Sequence, residues 1–117
     1  KKADRDTNQG LIETYIHSGG RIASMVEVNC ETDFVARTKD FEDLAHDIAM
    51  QVAAMDPKYV SETSNPTDDE VSEDSYLLRQ PFIKDPSKSI QDVINETVGK
   101  LGENIRVRRF QRFSLGE

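Results

Sequence analysis

Between residues 22 and 53 the apolar pattern changes period, and this change constrains the fold more than any other feature. Ile22, Ser24, Val26, Val28 and Cys30 recur at every second position, with Arg21, Ala23, Met25, Glu27 and Asn29 on the alternate face. Successive side chains of a strand point to opposite faces, so the run predicts a strand with one buried face. Phe41, Leu44, Ala45, Ile48, Ala49, Val52 and Ala53 fall instead at helical spacing and make one apolar stripe. A strand and a helix that each carry one apolar face bury them by packing in layers.

Local signals fill in the rest. Residues 11–17 are rich in strand formers, and Ser18-Gly19-Gly20 supplies a turn, which predicts an antiparallel hairpin over 11–30. Thr38 or Asp40 can cap the helix over 41–55, and Asp56-Pro57 ends it. Residues 1–9 are polar, a helix tail or a loose lead-in. Residues 61–75 hold one apolar residue, Val71, too little to offset the entropy of ordering them, so a mobile acidic surface loop is expected there. A short helical turn over 76–81 brings Tyr76, Leu77 and Leu78 to the core. Asp85-Pro86-Ser87 is expected to be a turn leading into a helix that Ser87 or Ser89 caps. Ile90, Val93, Ile94, Val98 and Leu101 form the stripe of that helix, and Gly102 stops it. Residues 104–113 read as a last strand whose apolar phase slips between Val107 and Phe110, through a β-bulge or burial on both faces. The expected architecture is α+β: a small antiparallel sheet of about three strands with helices packed on one face, in two layers.

A chain of 117 residues suits one domain. The formal net charge of −7 argues against a general nucleic-acid binder, because phosphate backbones repel acidic proteins. The single cysteine, Cys30, cannot form an intrachain disulfide, which excludes a disulfide-stapled secreted fold. No apolar run reaches membrane-spanning length, and no signal peptide is expected at the start. His17 and His46 are scattered, and with Cys30 they make no metal-ligand pattern. Gly19-Gly20 lacks the lysine and helix start of a phosphate loop. No nucleophile setting or catalytic carboxylate pair stands out, so neither an enzyme nor a cofactor is expected.

Two segments admit a structural and a functional reading. In the connector 29–37, Phe34 and Val35 either fold back as core while Asp33 caps a short turn, or Phe34 projects as an aromatic anchor for a partner with Asp33 beside it. In the tail 106–113, the arginines either bind single-stranded nucleic acid with the aromatics or face solvent and pair with the chain's own carboxylates on a strand protected from edge pairing.

The segments 10–38, 41–54, 80–94 and 102–117 together resemble the core domain of the elongation factor Ts family, and Thr32-Asp33-Phe34-Val35-Ala36-Arg37 resembles its hallmark element. The resemblance implies a guanine-nucleotide exchange factor for elongation factor Tu, bound both with GDP and nucleotide-free. Asp33 and Phe34 would insert between helices of the nucleotide-binding domain near its Mg2+ site. Thr32, Val35 and Arg37 would complete the partner-binding element, Thr32 and Arg37 holding its shape. Residues 1–10 would be the exit of an amino-terminal helical domain and 11–117 the core, or dimerisation, domain. The resemblance further implies a homodimer through the sheet edge at 104–113, no membrane and no direct nucleic acid, and a place in the bacterial cytoplasm or, in a eukaryote, an organelle matrix or stroma. Against that resemblance, the helical domain, the second core repeat and the carboxy-terminal module are expected to be missing from these 117 residues. The sequence also departs in the acidic loop, expected to be longer and more negative than the family's.

Overall fold

In the computed structural model, which describes residues 5–65 and 70–117, the first hairpin joins β1 (Gln9–Ile16) to β2 (Ile22–Cys30). Gly19 and Gly20 make the turn at φ 95° and 69°, and His17 N donates to Ile22 O at 2.9 Å. The register runs from Gln9 opposite Cys30 to Ile16 opposite Ala23. Strand β1 starts earlier than the expected lead-in allowed. Gly10, at φ 150°, lets the backbone lie against Val28 and Asn29, where a Cβ would collide with the Val28 carbonyl oxygen.

The last strand, β5 (Arg106–Ser114), pairs with the other side of β2, giving the order β1-β2-β5 with β2 central. The register shifts where Glu27 faces Arg109 and Val28 faces Val107, leaving Arg108 over. That β-bulge is the physical reason for the slipped phase: it returns both Val107 and Phe110 to the core face.

Helices cover that face. α1 (Asp33–Ala36) is a single turn, and α2 (Lys39–Met55) lays Phe41, Leu44, Ala45, Ile48, Ala49, Val52 and Ala53 against Val26, Val28 and Cys30. Thr38 caps α2, its Oγ1 accepting from Phe41 N at 3.2 Å, and Asp56 ends it in the left-handed region at φ 50°. α3 (Ile90–Leu101) begins with a capping box in which Ser89 and Asp92 exchange bonds of 3.0 and 2.9 Å. Gly102, at φ 75°, ends it. The expected two-layer α+β arrangement is the one observed.

The segment 85–87 differs from expectation. It is not a turn into the helix but the start of β4 (Asp85–Ser89), which pairs antiparallel with β3 (Pro81–Phe82) as a second, two-stranded sheet. The reason is long-range. Gln51, fully buried on α2, donates to Gln80 Oε1 and Pro81 O and accepts from Ile83 N at 3.0 Å, fixing this hairpin to the helix. Leu77, in a single 3-10 turn (Leu77–Arg79), is buried as expected.

The expected loop 61–75 falls partly on 66–69, outside the described residues. Its described flanks are mostly exposed single 3-10 turns, Glu62–Ser64 and Glu73–Ser75. They are closed at the neck. Lys58 N and Tyr59 N both donate to Ser75 O, at 2.8 and 3.0 Å, and Arg79 pairs with Glu62 and Glu73.

Candidate protein-binding site

The connector between β2 and α2 builds the site. Thr32 leaves β2 in an extended conformation and caps α1, its Oγ1 accepting from Val35 N at 3.2 Å. Successive side chains on a helix are about 100° apart. Val35 and Ala36 therefore enter the core while Phe34 stands in solvent, 81% exposed against 6% for Val35. Burying a phenylalanine gains roughly 1.5–3 kcal/mol, which this fold forgoes. The two readings of the connector thus divide between neighbours. Val35 folds back as core, Thr32 rather than Asp33 is the cap, and Phe34 projects.

The turn is held at both ends. Arg37 Nε donates to Asp33 Oδ2 at 2.7 Å, and this bond, more than the accompanying attraction, raises the guanidinium pKa above its ordinary value. Thr38 donates twice to Val35 O, from N at 3.0 Å and from Oγ1 at 2.7 Å. Cys30 Sγ donates to Thr32 O at 3.2 Å, and burial is the main cause that pushes this thiol up to about 11. The structure therefore brings Thr32, Asp33, Phe34, Val35 and Arg37 into one turn, with Phe34 and the Asp33–Arg37 pair outward.

Sequence reasoning assigned no role to Glu31 or Glu103. Glu103 Oε1 accepts from Glu31 N and Thr32 N, both at 3.1 Å, and its Oε2 accepts from Thr32 Oγ1 at 2.7 Å. Glu31 answers in the other direction: its Oε2 accepts from Asn104 N at 2.7 Å and its Oε1 pairs with Arg5 at 3.3 Å. The 31–32 and 103–104 partners lie more than 70 positions apart, beyond the reach of any local pattern.

Elsewhere the side chains are occupied or scattered. Arg109 pairs with Glu27 at 2.8 Å, and Arg112 donates from Nε to Ala53 O at 3.0 Å while lying 3.7 Å from Asp56. His46 lies on the flank of α2, 3.5 Å from Glu13, and His17 meets the Tyr15 hydroxyl at 3.1 Å. Among the described residues no group of three or more histidine, cysteine or acidic side chains is placed to hold a metal, and no helix is long and apolar enough to cross a membrane. The sheet face away from the helices carries exposed Ile12, Ile16, Met25 and Phe113.

Known proteins carry similar sequences. The family model described as Elongation factor TS matches residues 1–73. Elongation factor Ts of Caldanaerobacter subterraneus subsp. tengcongensis is 43% identical, over all of this chain and 74% of its own length. That of Moorella thermoacetica is 42% identical, over all of the chain and 73% of its own length, and that of Heliobacterium modesticaldum 44%, over all and 69%. These matches span 148 positions against the chain's 117 residues, so the relatives hold additional residues within the matched region. With more than half of the chain inside the family model and all of it matched by these relatives, the chain belongs to the elongation factor Ts family.

Proposed function

We propose that this chain promotes release of GDP from elongation factor Tu during polypeptide elongation, with Asp33 and Phe34 as the element that inserts near the Mg2+ site. The observation that carries this reading is Phe34, a large apolar side chain left 81% exposed on a turn tied down on every side. An aromatic in that setting enters a pocket with little loss of conformational freedom, which is what makes a few anchors dominate an interface. Asp33, oriented by Arg37, supplies a polar contact beside it. No bond needs to be made or broken. Insertion displaces groups that hold Mg2+ and phosphate, so factor and nucleotide weaken each other's binding, and the coupling is reciprocal. GTP refilling the site releases the factor.

Self-association is part of the proposal. β5 is an edge of the sheet, and apolar side chains stand on the open face beside it. A second copy pairing there, at 104–113, shields both. The place of work is where elongation runs, the bacterial cytoplasm.

The test is release of fluorescent GDP from a bacterial elongation factor Tu, with and without this chain. Acceleration that Phe34→Ala removes is the expected result. Binding without acceleration would reduce the chain to a docking module, and the absence of both binding and acceleration would overturn the proposal.

A further inference from the structure

We infer that Glu103 is a positioning residue for nucleotide exchange: from the segment between α3 and β5, its carboxylate fixes the angle at which the Asp33–Phe34 turn is presented. The inference rests on the reading of that turn as the inserted element.

A single helical turn does not hold itself. Its first amides have no intrahelical acceptor, and nucleating one turn is unfavourable. α1 is four residues long, so its geometry must be imposed by its surroundings. On its carboxyl side the core does this through Val35 and Ala36. On its amino side the work falls to Glu103. One carboxylate accepts three donors from two consecutive residues: Glu31 N, Thr32 N and Thr32 Oγ1.

The third of these matters most. The Thr32 hydroxyl has one proton and must accept from Val35 N to cap the turn. Giving its proton to Glu103 Oε2 at 2.7 Å leaves its lone pairs facing that amide. Glu103 thereby sets the rotamer of the cap and, through the cap, the orientation of the turn that carries Phe34. Bonds to an ionised acceptor are the strong kind.

Glu103 is itself fixed. Gly102 precedes it as the left-handed end of α3, and buried Ile105 follows two residues later. The crossed bond from Asn104 N to Glu31 Oε2 locks the two segments together in the opposite sense. The α3–β5 junction and the β2–α1 junction thus form one reciprocal clasp, with the exposed aromatic at its tip.

The experiment compares Glu103→Ala, Glu103→Gln, Phe34→Ala and the Glu103→Ala/Phe34→Ala double variant with the native chain. It measures GDP release across factor concentrations and backbone amide exchange at Glu31 and Thr32. Glu103→Ala is expected to lower the maximal acceleration about tenfold, inside the roughly 5–150-fold that coupling between two ligands is worth, with a smaller effect on the concentration giving half of it. Glu103→Gln keeps an oxygen for the two amides but sets an NH2 donor against the Thr32 hydroxyl, so it should keep the Glu31 and Thr32 amides protected while recovering only part of the rate. The Glu31 and Thr32 amides should exchange faster in Glu103→Ala while those of Val26 and Val28 stay protected. The double variant should be no worse than Phe34→Ala alone, because both act through the same side chain. If Glu103→Ala fails to fold, Thr32→Val removes the hydroxyl with little change of shape and should give the same loss. Native acceleration by Glu103→Ala or Thr32→Val, with Phe34→Ala defective, overturns the inference and leaves the inserted-element reading standing. Native acceleration by Phe34→Ala overturns both.

Discussion

Phe34 and Val35 are adjacent apolar residues with opposite surroundings, and each should answer differently to truncation. Val35→Ala removes buried methyl groups from a packed core and should cost about 1–3 kcal/mol in denaturant unfolding. Phe34→Ala removes a side chain with little packing and should stay within about 0.5 kcal/mol of native. Equal losses would mean that Phe34 is part of the core after all. Cys30 gives a second prediction at this scale. Burial first, then the nearby Glu103 carboxylate, raises its pKa from an ordinary 9.0 to about 11. The fold therefore favours the protonated thiol. Its contribution to stability is whole below about pH 9 and is lost as pH rises toward about 11. At pH 8 the thiolate fraction is about a hundredfold smaller than in the unfolded chain, and alkylation should slow at least in proportion. An alkylation midpoint near pH 9 in the native protein would contradict this. The outward direction of Phe34 was not legible in the sequence, because two apolar neighbours in a connector give no period from which to tell the buried one.

At the scale of elements, legibility followed how local the cause is. α2 was readable because its stripe repeats within 17 residues and Thr38 stands at its cap. The bulge in β5 was readable as a slipped phase, since the pleat forces apolar residues into alternate positions and a slip needs an extra residue, Arg108. β4 was not readable. Pro86 signals a turn, and the strand exists only because β3, which the buried Gln51 ties to α2 through Pro81 O, supplies its partner. The start of β1 depends on Gly10 in a conformation and a space closed to other residues. Gly10→Ala should cost at least about 1 kcal/mol and expose the amides that join β1 to β2. An unchanged unfolding midpoint would show that the strand end can shift to make room.

For the whole molecule, the open sheet face is the feature still to be accounted for. Ile12, Ile16 and Phe113 stay 62%, 69% and 68% exposed on one surface, beside an edge strand. Contiguous apolar surface of this kind marks an interaction site. Light scattering at micromolar concentration should give the mass of a dimer, and Phe113→Glu should return it to a monomer by placing a charge where apolar surface is buried. A native chain that is monomeric throughout that range would remove self-association from the proposed function. The sequence by itself determined the elements whose burial repeats at short range, their stacking in two layers, and membership of the elongation factor Ts family through residues that stand together in order. The tertiary structure alone decided that Phe34 faces solvent and Val35 the core, that Gln51 would hold a second sheet, and that Glu103 would meet Thr32 across 71 positions. Periodicity records which side of an element is buried. The pairing of polar groups far apart in the chain exists only once the layers have packed and brought them within hydrogen-bond reach.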